Sequence, residues 1–463
     1  NKLEVDANWK RMVDFGMQPE NIQAVRLGIA SHNLFDQAYA YLTARRNQVL
    51  DLYTIEMIEG MANYLRRAIQ ETGQEMVMYA PVATRDQFIN AIGYLIRRLD
   101  ENTGEKNFLR QLNRLDTNSD AWQFLTDHFK ASVRQKDRPA KTPHRVQNRL
   151  TEKFPQKMGA YLRGKFENEP NTDWSLPANR DWAAKIRKKW QKGPDDHPLA
   201  IPLVVAGGEI FDDREIRETA DPSQFKPRVV VARTAMANAA DIDNALATAA
   251  EDPDGWRQMT SWQRHRILNR VAAELHRSRG DLIGAAAANT GKVFTEADPE
   301  VSEAIDFAEY YPFSTTVFSD IDPLRCRGKG VGVVISPWNF PIAIPCGGIV
   351  AALAAGNTVI FKPSSDALLV AWVLCQCFWR AGVSQNTLQL LPCSGATTAA
   401  KLTNNPAVDF IILTGGTATG LSILKQRPDI LLAAETGGKN ATIVTAMSDR
   451  DQAISNVIYS AFG

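Results

Sequence analysis

The sequence predicts an α/β protein with three regions, residues 1–130, 131–200 and 201–463. In the last region, short apolar runs such as "GVGVVIS" (330–336) alternate with alanine- and glycine-rich helical runs such as "PIAIPCGGIVAALAAGN". Strand, helix and strand at this spacing indicate βαβ units and a parallel sheet. The strands are apolar along their whole length, which is typical of a sheet covered by helices on both faces.

Near the end of the first region, a strand and an amphipathic helix are predicted. "MVMYAPV" (76–82) has the composition of a strand, and Thr84 with Gln87 forms a capping-box pattern. Apolar residues then recur at helical spacing: Phe88, Ile92, Leu95 and Leu99. The adjacent guanidinium groups of Arg97 and Arg98 repel each other unless solvent screens them or an anion lies between them. A bound carboxylate suits this pair, and a solvated helix face is the alternative.

The second region is a basic connector. Between Lys130 and Lys165 there are 11 lysines and arginines but only two acidic residues, and prolines interrupt any long helix. A basic stretch can bind nucleic acid or an anionic membrane surface. Because no aromatic interleaving or nucleic-acid motif accompanies it, we favour a solvated segment between domains and expect no nucleic-acid partner.

Polar turns follow successive predicted strands in the third region: "SPWNFP" (336–341), "KPSSD" (362–366) and "GGTATG" (415–420). Ligands of open α/β sheets bind at these strand ends. The Asn339 amide could donate to an oxyanion, and Lys362 suits the hydroxyls or phosphates of a nucleotide. The small residues of the third turn open a helix whose N-terminus could face a pyrophosphate. The third turn alone is at least as well explained as a structural turn, but together the three turns predict a nucleotide site.

The overall composition excludes several classes of protein. A net charge of +1 gives no general attraction to nucleic acid or membranes, and no apolar run has the length of a transmembrane helix. The first residues lack the pattern of a signal peptide. The five cysteines, an odd number lying mostly in apolar runs, indicate reduced thiols in a cytoplasmic protein. The histidines show no ligand spacing, so we expect no metal ion.

Four motifs in order, "ISPWNFP", "NTVIFKPSS", "TGGTATG" and "ETGGKN", resemble the NAD-binding half of the aldehyde dehydrogenase superfamily over roughly residues 201–463. The resemblance implies a Rossmann-like NAD-binding domain in which Asn339 stabilises the tetrahedral intermediate and Glu435 is the general base. Desolvation beside apolar walls would help such a carboxylate to act as a base near neutral pH. The implied NAD-binding residues are Ser336, Pro337, Trp338, Lys362, Ser365, Gly395, Gly415, Gly416, Thr417 and Gly420.

Two features depart from that family's pattern. Ser365 stands where many members have a glutamate that contacts the ribose, so the preference for NAD over NADP stays open. The nucleophilic cysteine, which in the family follows the glutamate in a motif like "GQxCS", is not among the five cysteines. Without a thiolate no acyl-enzyme can form. We therefore expect the sequence to be the middle of a longer polypeptide, with further segments before Asn1 and after Gly463.

The first region resembles a second family. "YAPVATRDQFINAIGYLIRRLDENTGEKNFL" (79–109) is similar to the last strand and helix of the proline dehydrogenase flavin barrel, and "IASHNL" (29–34) and "YTIEMIEGM" (53–61) to two earlier strand ends. This implies the C-terminal part of a (β/α)8 barrel that binds FAD. By resemblance, Tyr79, Arg97 and Arg98 bind proline, and His32, Asn33, Glu101 and Phe108 contact FAD. Glu56 stands where the family more often has glutamine.

Both resemblances in one chain are those of the bifunctional proline utilisation A family, which "NEPNTDWSLPANRDWA" (168–183) and "EVSEAIDFAEYY" (300–311) also resemble. That family implies oxidation of proline to glutamate through pyrroline-5-carboxylate and glutamate semialdehyde, with Glu303 and Phe340 near the aldehyde. It further implies a cytoplasmic homo-oligomer with peripheral membrane association and a membrane quinone as electron acceptor. The alternatives are a monofunctional NAD-dependent aldehyde dehydrogenase with a structural N-terminal extension, and an NAD-binding module that lacks a nucleophile.

Overall fold

The computed structural model describes residues 2–112, 115–138, 140, 142–153, 166–393 and 395–462; of Phe225, residues 395–397 and Phe462 only the backbone is described. The chain forms two compact units, residues 1–144 with 440–463, and residues 145–439. These units have their boundary near residue 144, whereas the sequence suggested boundaries at 130 and 200. The three-region division of domains therefore stays a prediction.

The first unit contains three parallel strands, each followed along the chain by a helix, in the spatial order β1-β2-β3. Its elements are α1 (Lys2–Gly16), α2 (Pro19–Ile22), β1 (Leu27–Ala30), α3 (Leu34–Arg46), β2 (Tyr53–Ile58), α4 (Asn63–Gln70), β3 (Met76–Tyr79), α5 (Phe88–Glu101), α6 (Phe108–Gln111) and α7 (Asp120–Gln135). Alternate residues of β2, Tyr53, Ile55 and Met57, are buried in the core of this unit. Successive parallel strands with intervening helices are the arrangement of a βα barrel.

The helix predicted after the third strand is present, but its details differ from the prediction. The Thr84 side chain makes no capping hydrogen bond, and α5 begins at Phe88 after a short 3-10 turn. Phe88 and Leu99 are exposed, and only Ala91 of this helix is buried. The helical period of the apolar residues predicted the helix correctly, but no described element covers most of its apolar face.

The second unit contains a seven-stranded sheet of order β13-β12-β9-β10-β11-β5-β6 and a three-stranded sheet of order β4-β8-β7. Its elements are α8 (Pro177–Trp190), β4 (Leu199–Ile201), β5 (Leu203–Val205), β6 (Gly208–Ile210), β7 (Glu215–Phe225), β8 (Arg228–Met236), α9 (Ala239–Glu251), α10 (Ser261–Arg277), α11 (Arg279–Thr290), α12 (Phe294–Ser319), β9 (Val331–Ile335), α13 (Ala343–Ala354), β10 (Thr358–Lys362), α14 (Leu368–Ala381), β11 (Leu388–Leu390), α15 (Gly395–Thr403), β12 (Phe410–Gly415), α16 (Thr417–Gln426) and β13 (Leu431–Thr436).

The central strands of the large sheet are buried on both faces, as the apolar runs predicted. Along β10, Val359 and Phe361 lie in one hydrophobic cluster, and Ile360 lies in the other. Strands β9 to β13 pair in parallel, and the chain turns from β11 back to β12 on the other side of β9. The carboxyl ends beside β9 therefore form a topological switch point, where doubly wound sheets bind ligands.

The connector differs from the solvated segment predicted for it. The side chains of Arg149, Glu169 and Asp298 are almost fully buried, and Arg279 lies 3.0 Å from Glu169 and 2.8 Å from Asp298. Arg149 and Glu169 are buried because each has a counter-charge: Arg149 lies 3.0 Å from Glu152 and 3.7 Å from Glu169, and Glu169 also pairs with Arg279 of α11. Other charged side chains of the connector, such as that of Arg145, are exposed. Helix α8 packs on α11 at Gly284, where a Cβ atom would lie 2.2 Å from the Trp190 ring. The stretch 154–165 lies outside the described residues.

The last helix, α17 (Arg450–Phe462), is grouped with the first unit. Among the helices described, none has both the length and the apolar composition needed to cross a bilayer.

Candidate active sites

In the first unit, a cavity of about 370 Å³ lies at the carboxyl ends of β1, β2 and β3. Its lining residues are Ala30, His32, Glu56, Met57, Ile58, Tyr79, Tyr94 and Arg98. The parallel register brings these strand ends together, since Ala30 pairs with Glu56 and Ile58 with Tyr79. Gly28 makes room for the side chain of Glu56, whose Oε1 would lie 2.0 Å from a Cβ atom at that position.

The turn after β1 holds its polar residues in defined positions. The amide of Ile58 donates to Nε2 of His32 at 3.1 Å, and burial lowers the pKa of this imidazole. The Asn33 side chain caps α3 by accepting from the Phe35 amide at 3.0 Å. Asp36, one turn into α3, pairs with the buried Lys10 at 3.2 Å. The two predicted FAD contacts His32 and Asn33 thus lie in a turn that is fixed by hydrogen bonds and an ion pair.

The paired arginines occupy different environments. Arg98 lines the cavity, lies 5.3 Å from the centroid of the Tyr94 ring, and pairs with Glu101 at 2.7 Å. Arg97 is exposed and does not line this cavity. Phe108 is buried in the core against Phe35, at a centroid distance of 6.3 Å. The structure therefore brings Tyr79, Arg98 and His32 to one cavity and leaves Arg97, Glu101 and Phe108 outside its lining.

In the second unit, four strand ends meet in register. Ile335 of β9 pairs with Lys362 of β10 and with Leu413 of β12, and Thr414 pairs with Glu435 of β13. The turns that follow these strands therefore lie along one edge of the sheet, as predicted from the order of the motifs.

A cavity of about 760 Å³ lies along this edge. The predicted residues in its lining are Ser336, Pro337, Trp338, Asn339, Lys362, Ser365, Gly415, Gly416 and Glu435, and Ser364, Asp366 and Thr436 lie among them. Asp366 is paired with Arg217 of β7 at 3.1 Å. In the order of the strands β13, β12, β9 and β10, this edge carries a carboxylate, the two glycines, the Asn339 amide and a lysine followed by hydroxyl groups, and such a set can hold a nucleotide beside a reacting carbonyl.

The glycine-rich turn opens a helix towards this cavity. Gly416 is the N-cap of α16, which begins at Thr417, and no side chain caps it. The free amides of such a helix start suit a phosphate group. Gly420 is buried, and a Cβ atom there would lie 3.4 Å from Leu413. Gly395 begins α15 after β11 and is not in the lining of this cavity.

Glu435 differs from the prediction in its environment. It is the penultimate residue of β13, the edge strand of the seven-stranded sheet, and all but one of the residues of that strand are exposed, Glu435 among them. The desolvated pocket expected from the apolar residues around it is therefore wrong for the structure as described, because no described element covers the outer side of β13.

The two residues predicted to lie near the aldehyde are on different elements. Phe340 follows Asn339 and is 44% exposed. Glu303 is on α12, where burial and the neighbouring charge of Asp306 raise its pKa. Burial raises the pKa of Tyr311 on the same helix, and the charges of Glu303, Cys346 and Glu435 add to this effect.

Sequence reasoning missed several residues that these sites contain. Tyr94 lies four residues before Arg98, on the same face of α5, and this spacing could have indicated it. Lys292 and Glu300 contact the turn that carries Asn339. They come from distant parts of the chain, and the sequence around them carries no comparable signal.

One further cluster has the atom spacing of a metal site. Ligand atoms of Glu152, Glu169 and His276 lie within 4.8 Å of one another. However, Arg149 is 3.0 Å from Glu152, and Arg279 is 3.0 Å from Glu169. Because guanidinium groups already balance the carboxylates, we assign this cluster to the ion-pair network that anchors the connector.

Comparison with known families gives two matches. The aldehyde dehydrogenase family matches residues 212–463, and the proline dehydrogenase family matches residues 1–111. These matches confirm both resemblances that the motifs predicted.

Individual relatives share the same combination. Bifunctional protein PutA of Salmonella typhimurium is 30% identical over 454 residues, which are 94% of this chain and 32% of PutA. The crystal structure of proline utilization A from Bdellovibrio bacteriovorus has 30% identity and a TM-score of 0.73, covering 100% of this chain and 47% of that one. A structure of 1-pyrroline-5-carboxylate dehydrogenase from Thermus with bound NAD has 31% identity and a TM-score of 0.58, covering 65% of this chain and 60% of that one. The chain spans about a third of the length of the Salmonella protein.

Proposed function

Because the chain belongs to the aldehyde dehydrogenase family and has a proline dehydrogenase region before it, we propose that it is part of a bifunctional enzyme that oxidises proline to glutamate. The first step would be FAD-dependent and would give pyrroline-5-carboxylate. Ring opening by water gives glutamate semialdehyde, which the second, NAD-dependent step would oxidise. The observation that carries this proposal is that each family match contains a cavity at its strand ends with the polar residues that its step needs.

For the first step, Arg98 and Tyr79 supply the recognition of proline. The Arg98 guanidinium would bind the carboxylate of proline, and the Tyr79 ring, 5.8 Å from that of Tyr94, would form a wall against the pyrrolidine. Burial lowers the pKa of His32, and the Ile58 amide fixes its ring by donating to Nε2, so the ring is suited to hydrogen bonding with a flavin. Bound FAD would accept the hydride equivalent from proline. Arg97, Glu101, Asn33 and Phe108 remain proposed members of this site.

For the second step, Asn339 and Glu435 supply the polar groups that act on the carbonyl. The Asn339 amide would donate to the oxygen that becomes negative when a thiolate attacks the aldehyde, and Glu435 would take the proton of the deacylating water. Bound NAD would accept the hydride. Lys362 and the uncapped start of α16 would hold the nucleotide, with Ser336, Trp338 and Ser365 beside it. Glu303 and Phe340 are proposed to contact the semialdehyde.

The test uses the complete natural protein, purified and given proline, NAD and an artificial electron acceptor. We expect bleaching of bound flavin on addition of proline, followed by formation of NADH and glutamate. Arg98→Met should raise the KM for proline by about a hundredfold, the value of a charge-assisted hydrogen-bonded pair, and should leave oxidation of added pyrroline-5-carboxylate intact. Glu435→Gln should impair oxidation of added pyrroline-5-carboxylate and leave the reaction with proline intact.

Each alternative predicts a different result in the same experiment. Protein without flavin that still reduces NAD with an aldehyde would be a monofunctional aldehyde dehydrogenase. Protein that binds NAD and forms no NADH from added pyrroline-5-carboxylate would be an NAD-binding module without a nucleophile.

We also propose that the protein is a cytoplasmic homo-oligomer that binds membranes peripherally. A membrane quinone would reoxidise its flavin. The exposed basic residues of α8, whose last turn contains Arg187, Lys188 and Lys189, support contact with anionic lipid. Flotation with vesicles containing quinone, before and after addition of proline, tests the membrane contact, and light scattering measures the oligomeric state. Protein that stays unbound in both redox states would contradict the membrane proposal.

A further inference from the structure

We propose that Lys292 and Glu300 are positioning residues that fix the turn carrying Asn339, residues 336–342, in the geometry that stabilises an oxyanion. The inference rests on the proposed aldehyde oxidation, in which Asn339 is the donor. Lys292 lies just after α11 and belongs to none of the motifs that indicated the site, and Glu300, on α12, opens the stretch "EVSEAIDFAEYY", whose resemblance assigned a role only to Glu303.

Glu300 holds the end of the turn that leads into α13. It is 2% exposed, and its Oε2 accepts hydrogen bonds from the amides of Ile342 at 2.9 Å and Ala343 at 3.1 Å. Helix α13 begins at Ala343, and its own N-cap residue, Ile342, offers no side-chain acceptor. A carboxylate from a neighbouring helix therefore caps α13, where the helix dipole favours negative charge.

Lys292 holds the middle of the same turn. Its Nζ lies 2.6 Å from Oε1 of Glu300 and donates to the carbonyl oxygen of Asn339 at 2.7 Å. The same ammonium lies 4.0 Å from the centroid of the Phe340 ring, within cation–π distance. One cation thus binds the peptide of the proposed oxyanion donor, the ring proposed to contact the aldehyde, and the carboxylate that caps the next helix.

The two residues depend on each other. A buried carboxylate is costly without a counter-charge, and Lys292 supplies one with only 11% of its side chain exposed. Removing Lys292 would leave Glu300 buried and unpaired and would free the Asn339 carbonyl at the same time. Because an oxyanion donor is effective only when it is fixed before the charge develops, loosening this turn should slow the chemical step more than it weakens NAD binding.

The experiment compares Lys292→Met, Glu300→Gln and Lys292→Arg in the complete natural protein. Lys401→Met is the matched control, because Lys401 also bridges a carbonyl oxygen, that of Ala239 at 2.9 Å, and a carboxylate, that of Asp243 at 2.5 Å. Lys401 lies on α15 and contacts no residue of the Asn339 turn in the described structure. The measurements are hydrogen exchange of the 336–343 segment, kcat and KM for pyrroline-5-carboxylate, and the Kd of NAD.

We expect exchange at Ile342 and Ala343 to be at least about tenfold faster in Lys292→Met and Glu300→Gln, with kcat lower by about ten- to a hundredfold and the Kd of NAD within about twofold of wild type. Lys292→Arg should recover most of kcat, and Lys401→Met should match wild type in every measurement.

Two results would overturn the proposal: exchange in both variants equal to wild type, or faster exchange with an unchanged kcat. A wild-type enzyme that does not oxidise the aldehyde would contradict the proposed function instead, and the exchange data would still decide whether Lys292 and Glu300 fix the turn.

Discussion

Replacing Asp298 by alanine removes the most deeply buried carboxylate of the connector's ion-pair network. Asp298 is fully buried on α12 and lies 2.8 Å from Arg279. Its two oxygens also accept from the Thr172 amide and the Thr172 hydroxyl, both at 2.6 Å. Thr172 belongs to the connector, so one carboxylate joins the connector to two helices of the second unit.

The expected loss of stability follows from these contacts. Removing one partner of a buried ion pair costs about 3–5 kcal/mol because the other charge stays buried. Arg279 keeps Glu169 at 3.0 Å, which favours the lower end of that range. The unsatisfied Thr172 amide adds about 1 kcal/mol, so we expect a total of about 4 kcal/mol. At about 2 °C per kcal/mol for a large domain, the melting temperature of this unit should fall by about 8 °C.

Differential scanning calorimetry measures this change, with Asp243→Ala as the control. Asp243 pairs with Lys401 but is 58% exposed, so its loss should cost no more than about 1 kcal/mol. A melting temperature of Asp298→Ala within 1 °C of wild type would refute the reasoning.

Three further predictions concern His265, the cysteines and Asn339. Burial lowers the pKa of His265 from 6.5, and its ring nitrogens have no hydrogen-bond partner among the described residues. The unfolded chain therefore binds a proton more readily at this residue than the folded chain does. As the pH falls below about 6.5, the free energy of unfolding decreases. His265→Phe should flatten the decline of melting temperature between about pH 6.5 and 5, and an unchanged slope would contradict this. A thiol reagent at about pH 8 should label the exposed Cys326 in the native protein and the buried cysteines only after unfolding, as measured by peptide mass mapping. The buried cysteines are Cys346, Cys375, Cys377 and Cys393, whose pKa values burial raises, that of Cys377 to about 11. Asn339→Ala should lower kcat for the aldehyde by about 10²–10³ with unchanged NAD binding, and a rise in KM alone would argue against an oxyanion role.

The strand ends of the second unit could be predicted from the sequence because the relevant signal is local. Each strand is a short apolar run, and parallel pairing places the residue after each run at one edge of the sheet. The positions of Lys362 and Asn339 relative to these apolar runs were therefore enough to predict that both lie at the same edge of the sheet. Tyr79, which the family resemblance implied, likewise ends its strand, β3, and lies in the cavity of the first unit.

Burial could not be predicted in the same way. The apolar residues before Glu435 suggested a desolvated carboxylate, but their strand lies at the edge of the sheet. An apolar sequence segment does not by itself distinguish an edge strand from a central one. The excess of basic residues in the connector, in contrast, suggested a solvated segment. Two of its charged residues, Arg149 and Glu169, are nevertheless buried, because they pair with each other and because Arg279, more than 100 positions after Glu169, also pairs with Glu169.

A sequence can therefore indicate the residues that act on substrate more readily than the residues that hold them in place. Asn339 carries its own signal, because prolines and a preceding strand fix where its turn lies. Lys292 and Glu300 have no such signal, because their role is defined only by the distance from Lys292 Nζ to the Asn339 carbonyl and from Glu300 to two amides. Asn339 can stabilise charge only if that turn is rigid, so the part of the site that sequence motifs identify depends on contacts that only the folded structure reveals.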